Sequence, residues 1–340
     1  MSLGIVILNF RTPSLCIDAI ASVVPQARSQ GDTEIIVVDG GSGDDSVSML
    51  RAAVDEHDWS DIVRLLDLQE NHGFAAGNNA AIAQLLSRNP ECGLIWLLNP
   101  DTVLREHALE ELVDALDQNP SWGIVGSRLE DLDGTSQRAA RRFHGVFNEL
   151  DSAARFGPLS RCLRRWLIDP PEKDQRTTCD WLPGASLMIR REVFETIGLL
   201  DEGFFMYFEE VDFCQRAIKA GFTVGYEPRS RVIHLVGQAS GVTAYQPAVR
   251  KRRPAYWFES RGRYFLRHFG KIGFFAANLA WLAGHLIYGA TTRLRGRPSQ
   301  DPPHFIRDFL KHACQRKSWQ MPGDAIYTKP HSETNSRPSA

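Results

Sequence analysis

The chain has few features of several common protein classes. Its six cysteines (Cys16, Cys92, Cys162, Cys179, Cys214, Cys314) form no Cys-x-x-Cys pair and no zinc-like spacing. That pattern argues against a disulfide framework and a structural zinc site, and reads as reduced cytosolic thiols that mostly pack in the core. Bulk charge of one sign is also missing. With 39 Lys+Arg against 41 Asp+Glu the net charge is −2, which gives no global footprint for nucleic acid. No basic region and no cleavage site precede the opening "LGIVILNF", so no secretory leader is expected. Glycine is absent from "NFRTPS", the turn after that first apolar run. A dinucleotide-binding enzyme or methyltransferase needs glycine there so that its backbone can approach a pyrophosphate, and a nucleotidyltransferase wants a Gly- and basic-rich loop.

What is present is an ordinary globular composition, 43% hydrophobic over 340 residues, enough for one large domain or two smaller ones with a substantial core. "GIVILNF", "TEIIVVDGG", "DIVRLLDL", "GLIWLLN" and "WGIVGSRL" read as strands. Helical patterns separate them, the first with Thr12 as N-cap and Pro13 at its first position, then over 45–56, 77–88 and 106–118. This β-α-β-α order predicts an α/β protein with a mostly parallel, doubly wound sheet. In such sheets ligands sit beyond the carboxyl ends of the strands. Three of those ends, "VVDGGSGDDS", "QENHGFAAGNN" and "NPDT", are short, polar and rich in Gly, Asn or Asp. One such ending is ordinary turn chemistry; three in register point to a site.

The pattern loosens over 136–178, where arginines are frequent. A strand and short helix return in "CDWLPGASLMIRREVFETIG", and "FTVGYEP" and "RVIHLVG" read as two further strands. Residues 254–294 read as helical, and the polar tail over 321–340 as disordered. The C-terminal third is basic: Arg250, Lys251, Arg252 and Arg253 are followed by Arg261, Arg263, Arg267 and Lys271. A solvated face would explain these, as would phosphate or an anionic membrane surface. The uncharged run over 273–290 is near the lower length limit for a membrane span, and Asn278 and His285 interrupt it. Flanking Arg and Lys, with Trp281 and Tyr288, suit a helix lying in a membrane interface, with a core helix or a span as the other readings.

One segment poses a question of its own. "FFMYFEEVDFCQR", residues 204–216, sets Glu209, Glu210 and Asp212 behind a run of aromatics. The plain reading is a helix start, with acids at the positive end of the dipole, Arg216 and Lys219 at the other, and an Asp212–Arg216 pair.

Taken in order, "VVDGGSGDDS", "NHGFAAGNN", "LLNPDT", "GASLMIRREVFETIGLLDEGFFMYFEEVDFCQRAIKAGF" and "RVIHLVG" resemble the family 2 glycosyltransferases, in particular a rhamnosyltransferase-like branch of bacterial polysaccharide synthesis. Each motif alone is weak; five in order over about residues 3–270 are specific. The resemblance implies the GT-A fold, a Rossmann-like mixed sheet. The catalytic domain would span 1–245, with a donor half over about 1–130 and an acceptor half over about 175–245. A helical, membrane-proximal extension would follow over 246–320. It also implies inverting transfer of a sugar, with rhamnose as the candidate, from a dTDP- or UDP-sugar to a hydroxyl of a glycan or polyprenyl-diphosphate-linked acceptor. The enzyme would be cytoplasmic and peripheral at the inner face of the membrane. A non-catalytic nucleotide-sugar-binding subunit on the same fold is the alternative.

Carried over residue by residue, Asp39 reads the base of the donor, with Asn9 and Arg11 beside it. Asn71, Gly73, Gly77 and Asn78 close over ribose and pyrophosphate. Asp101 matches the metal-binding carboxylate of an Asp-x-Asp motif whose first acid is here Asn99, and His234 can complete the shell. A divalent cation, Mg²⁺ or Mn²⁺, is therefore the expected cofactor. Trp181, Gly184 and Ala185 match the acceptor wall. Glu210 matches the catalytic base and Glu209 its neighbour toward the acceptor. Phe205, Tyr207 and Phe208 would then desolvate the base and face the sugar.

Overall fold

Continuous apolar runs demand cover on both faces, and the first third of the chain provides it by alternating strands with helices. In the computed structural model, which describes residues 2–171, 173–235 and 251–314, β1 (Ser2–Asn9) is followed by α1 (Pro13–Gln30), β2 (Thr33–Asp39), α2 (Ser46–Glu56), β3 (Val63–Asp67), α3 (Phe74–Arg88) and β4 (Cys92–Leu98). Ile5, Val6 and Ile7 of β1 and Ile35, Ile36, Val37 and Val38 of β2 are all buried. Pro13 opens α1, but the Thr12 side chain makes no cap. Its amide and hydroxyl instead both donate to Asn9 Oδ1, at 3.2 and 3.3 Å.

The chain continues through β5 (Thr102–Leu104), α4 (Ala108–Gln118), β6 (Trp122–Glu130), α5 (Val146–Ala154), α6 (Gly157–Cys162), β7 (Thr177–Cys179), β8 (Ser186–Arg190), α7 (Arg191–Ile197), α8 (Glu209–Lys219), β9 (Thr223–His234), α9 (Ala255–Leu294) and α10 (Phe305–Cys314). The sheet order is β3-β2-β1-β4-β8-β6-β9-β5, with β7 also on β9. Strands β3, β2, β1 and β4 run parallel, but β8 enters antiparallel to both β4 and β6. The sheet is therefore mixed rather than mostly parallel.

The two strands expected at 222–228 and 231–237 are one strand, β9. Pro228 is accommodated by a register shift against β6 between Ser127 and Arg128, a bulge that keeps both halves in the sheet. The last residues of β9 pair with β5, setting His234 opposite Thr102 and so next to Asp101.

Helix α9 breaks at Gly270, whose φ is 65°. Its first segment is buried against the sheet domain. Arg261 donates to Glu149 Oε2 at 2.9 and 2.6 Å, and Arg263 to Asp201 at 2.9 and 2.8 Å. Two arginines that look like free surface charge in the sequence are thus paired inside the protein, the only way such groups are tolerated there. In the second segment Gly284 lies against the Leu150 carbonyl, where a Cβ would collide. Trp281 stacks on Phe309 with centroids 3.8 Å apart. Trp281 and Tyr288, expected as membrane anchors, are therefore buried in protein. The expected disordered tail and Arg250 lie outside the described residues.

Candidate active site

The carboxyl ends of β1, β2 and β4 open on one cavity of about 400 Å³, a size suited to a small-molecule ligand. It brings together Asn71, Gly73, Asn99, Asp101, Gly184, Ala185, Glu209, Glu210 and His234.

One corner is built by strand register. Asp101 follows β4, and the β5–β9 pairing sets His234 Nε2 3.5 Å from Asp101 Oδ1 and 3.4 Å from Asn99 Nδ2. The tautomer follows from Gln137. Its amide nitrogen donates to the His234 carbonyl and to Asp131 Oδ1, each at 2.7 Å. Its Oε1 is thereby turned toward His234 Nδ1, 3.2 Å away. An amide oxygen only accepts, so Nδ1 carries a proton, and in the neutral ring the lone pair is on Nε2. That lone pair faces a carboxylate oxygen. Asp101 Oδ1 and Asn99 Oδ1 are both buried without a hydrogen-bond partner. Asn99 Nδ2 can donate to the ring nitrogen, but the two oxygens have no donor, and buried oxygens beside an imidazole suit a divalent cation.

The opposite corner is the start of α8. Tyr207 and Phe208 both adopt left-handed backbone, φ 71° and 70°, a conformation that costs on the order of 1–3 kcal/mol at non-glycine residues. Neighbours hold it in place. Phe208 packs between His144 and Tyr264, Ser260 Oγ donates to the Met206 carbonyl at 2.9 Å, and Phe74 N to the Phe205 carbonyl at 2.7 Å. The strained turn delivers Glu209 and Glu210 to the cavity, each with a buried Oε2 lacking a partner. Burial pushes both carboxyls above their ordinary range, and for Glu209 the charge of Glu210 adds to it. A backbone N–H at the helix start, and then Arg141, oppose the shift at Glu210. Glu210 is therefore the member favoured as carboxylate, and Glu209 the one favoured as acid. Of the aromatics, Tyr207 and Met206 line the cavity; Phe205 packs on Tyr256 and Phe208 is in the stack behind.

The other candidates form supporting layers. Asp39 is buried and accepts from Asn9 Nδ2 at 2.7 Å, Ser42 Oγ at 2.7 Å and Ser42 N at 2.9 Å. The cavity wall there is Gly40. Arg11 is exposed, with Nε donating to the Ser42 carbonyl at 2.9 Å. Asn71 Oδ1 accepts from Gly73 N at 2.8 Å. Gly73, at φ 94°, passes so close to the Phe205 carbonyl that no Cβ fits. Gly77 is instead a packing position against Leu8, and Asn78 bonds back to the Phe74 carbonyl at 2.9 Å. Trp181 is buried behind the Pro183, Gly184 and Ala185 wall, its indole N–H on the Arg142 carbonyl at 2.7 Å.

Gln137, Arg141 and Met206 have site roles that the sequence did not flag, and Arg253 lines the same cavity. Gln137 and Arg141 come from the aperiodic 136–178 stretch; its density of arginines is the only local signal.

A mixed sheet whose strand ends carry, on one cavity, unpartnered buried acceptors in one corner and a pair of buried carboxyls in the other is the arrangement of a GT-A glycosyltransferase. The chain belongs to the family described as Glycosyl transferase family 2, whose model matches residues 5–211. It is 30% identical over 294 residues, 83% of this chain and 86% of the relative, to an N-acetylglucosaminyl-diphospho-decaprenol L-rhamnosyltransferase of Mycobacterium tuberculosis. Over 178 residues, 52% of this chain and 54% of the relative, it is 32% identical to the dTDP-rhamnosyl transferase RfbF of Shigella flexneri. A solved mannosyltransferase from Pyrobaculum calidifontis, in complex with GDP-Man and Mn²⁺, covers 93% of this chain and 81% of its own, with TM-score 0.53 and 15% identity. At that identity the fold is what is shared. The chain is thus a glycosyltransferase of polysaccharide synthesis that draws on a nucleotide-sugar donor.

Proposed function

We propose that this enzyme moves L-rhamnose from dTDP-rhamnose, with inversion, to a hydroxyl of an N-acetylglucosaminyl residue carried on a polyprenyl diphosphate, at the cytoplasmic face of the membrane. The observation that carries the chemistry is that Asp101 and Glu210 line one cavity. The relative whose name prints such an acceptor, matched over most of both chains, supports the choice of substrate.

A divalent cation, Mg²⁺ or Mn²⁺, held by Asp101 with His234 and Asn99 beside it, would supply positive charge to the departing diphosphate. Asp39, fixed by Asn9 and Ser42, keeps an Oδ2 lone pair for a ring N–H of the base. Glu210 accepts the proton of the acceptor hydroxyl as that oxygen bonds to C1 of the sugar. The C1–O bond to the diphosphate breaks on the opposite side, and its electron pair leaves with the nucleotide. Glu209, the more readily protonated of the two, hydrogen-bonds the acceptor sugar.

A donor screen with Mg²⁺ or Mn²⁺ tests this, using a short-chain alkyl diphosphate of N-acetylglucosamine as acceptor. Release of dTDP from dTDP-rhamnose, with an inverted anomeric centre by NMR, is expected. Turnover confined to UDP-sugars would overturn the donor, and retention at C1 the mechanism.

A further inference from the structure

Among the described residues eleven large apolar side chains are exposed. Six of them, Phe269, Ile272, Phe275, Leu279, Leu286 and Leu294, belong to α9. Ile272, Leu279 and Leu286 are 86%, 67% and 75% exposed, and their spacing with Phe275 places them on one stripe of the helix. Residues 273–290 contain no charged side chain, so this open face is apolar over about 27 Å of helix. Its two ends are basic: Lys271 precedes it, and exposed Arg293, Arg295 and Arg297 follow it.

We infer that this stripe of α9 docks on an anionic lipid leaflet, with the helix lying in the plane of the interface. The charges choose the occupant. A second copy laid antiparallel on the stripe would set Lys271 against the Arg293 end, and a parallel copy would set like ends together; both oppose cation to cation. A plane of anionic headgroups answers both ends while acyl chains take the middle. The helix is long and apolar enough to cross a membrane by composition, but its other face is committed to protein. Asn278 Oδ1 accepts from Arg261 Nη1 at 2.6 Å, Trp281 stacks on Phe309, and Gly284 touches α5. Spanning would strip those contacts and carry Asn278 and His285 into hydrocarbon. The inference deepens the proposed function, since a polyprenyl-linked acceptor resides in that leaflet.

The test uses the full chain in flotation with vesicles of phosphatidylcholine alone and of phosphatidylcholine with an equal part of phosphatidylglycerol. Binding to the anionic vesicles is expected, weakened at least about tenfold by Leu279→Glu with Leu286→Glu. Reversing Arg293, Arg295 and Arg297 to Glu should remove the preference for phosphatidylglycerol. These side chains are exposed, so folding is checked by an unchanged thermal midpoint, and the active site by unchanged transfer to the short-chain acceptor. Undiminished flotation of the double Leu variant overturns the inference. So does a wild-type dimer, by light scattering, that the same variant turns into a monomer. Flotation without transfer to the short-chain acceptor would count against the proposed reaction and leave the docking face standing; transfer without flotation would do the reverse.

Discussion

His268 Nε2, from the last turn before the break in α9, lies 2.8 Å from Asp212 Oδ1 in the helix that bears Glu209 and Glu210. Arg267 reaches the same oxygen at 3.0 Å, and Arg216 reaches the other at 2.7 Å. The acid that follows Glu209 and Glu210 in sequence is thus turned away from the cavity and fastens its helix to the C-terminal segment.

This cluster makes acid stability a readout. Burial alone would raise the Asp212 carboxyl, but His268, Arg216 and Arg267 outweigh it and hold it below its usual range. A depressed folded value stabilises above the unfolded value, about 3.9, and that contribution is lost as pH falls through the folded one. The wild-type thermal midpoint should therefore drop below about pH 4, and Asp212→Asn should flatten that limb. At neutral pH Asp212→Ala should cost about 3–5 kcal/mol in urea unfolding, because buried cations lose their partner.

Transfer should depend on pH through Glu210. Its carboxyl is raised by burial and partly restored by its own backbone N–H and then by Arg141. The rising limb of kcat/KM should lie above the ordinary carboxylate range, and Arg141→Ala should move it to higher pH while Arg141→Lys holds it. Glu210→Gln should reduce transfer by about a hundredfold to ten-thousandfold with dTDP binding retained. Near-normal transfer by that variant would remove Glu210 from the chemistry.

Gln137 fixes the His234 tautomer, so Gln137→Leu should weaken Mn²⁺ binding by about ten- to a hundredfold. Electron paramagnetic resonance titration in the presence of dTDP measures it independently of turnover. An unchanged isotherm would show that Gln137 does not position His234 for the cation.

Gly284 allows α9 to touch the backbone of α5. Gly284→Leu should destabilise by about 1–3 kcal/mol, through overpacking. An unchanged midpoint in chemical denaturation would argue that the two helices do not meet there.

Much of this was legible in the sequence because buried parallel strands are written as unbroken apolar runs, and their polar ends mark where ligands sit. Asn71, Gly73, Asn99, Asp101, Glu209, Glu210 and His234 do share a cavity. Other features escaped for physical reasons. Strands of three residues such as β5 and β7 carry no usable period, and Pro228 hid the continuity of β9. Gly77 and Asn78 look like ligand-loop residues because small and amide side chains serve packing and capping as readily as binding. Charge counts do not reveal partners distant in sequence, so Arg261 and Arg263 gave no sign of Glu149 and Asp201. Trp281 and Tyr288 have the amphipathic character of membrane anchors, yet that character suits a protein neighbour equally well.

The order in which these parts leave the ribosome sets when the enzyme becomes competent. Strands β1 to β4 are complete by Leu98, but His234 arrives with the last strand, and Arg267 and His268 come later still. A nascent chain can therefore fold its early strands while the glutamate-bearing helix has no clamp. The clamp on that helix closes only after the C-terminal helix has been synthesised and docked.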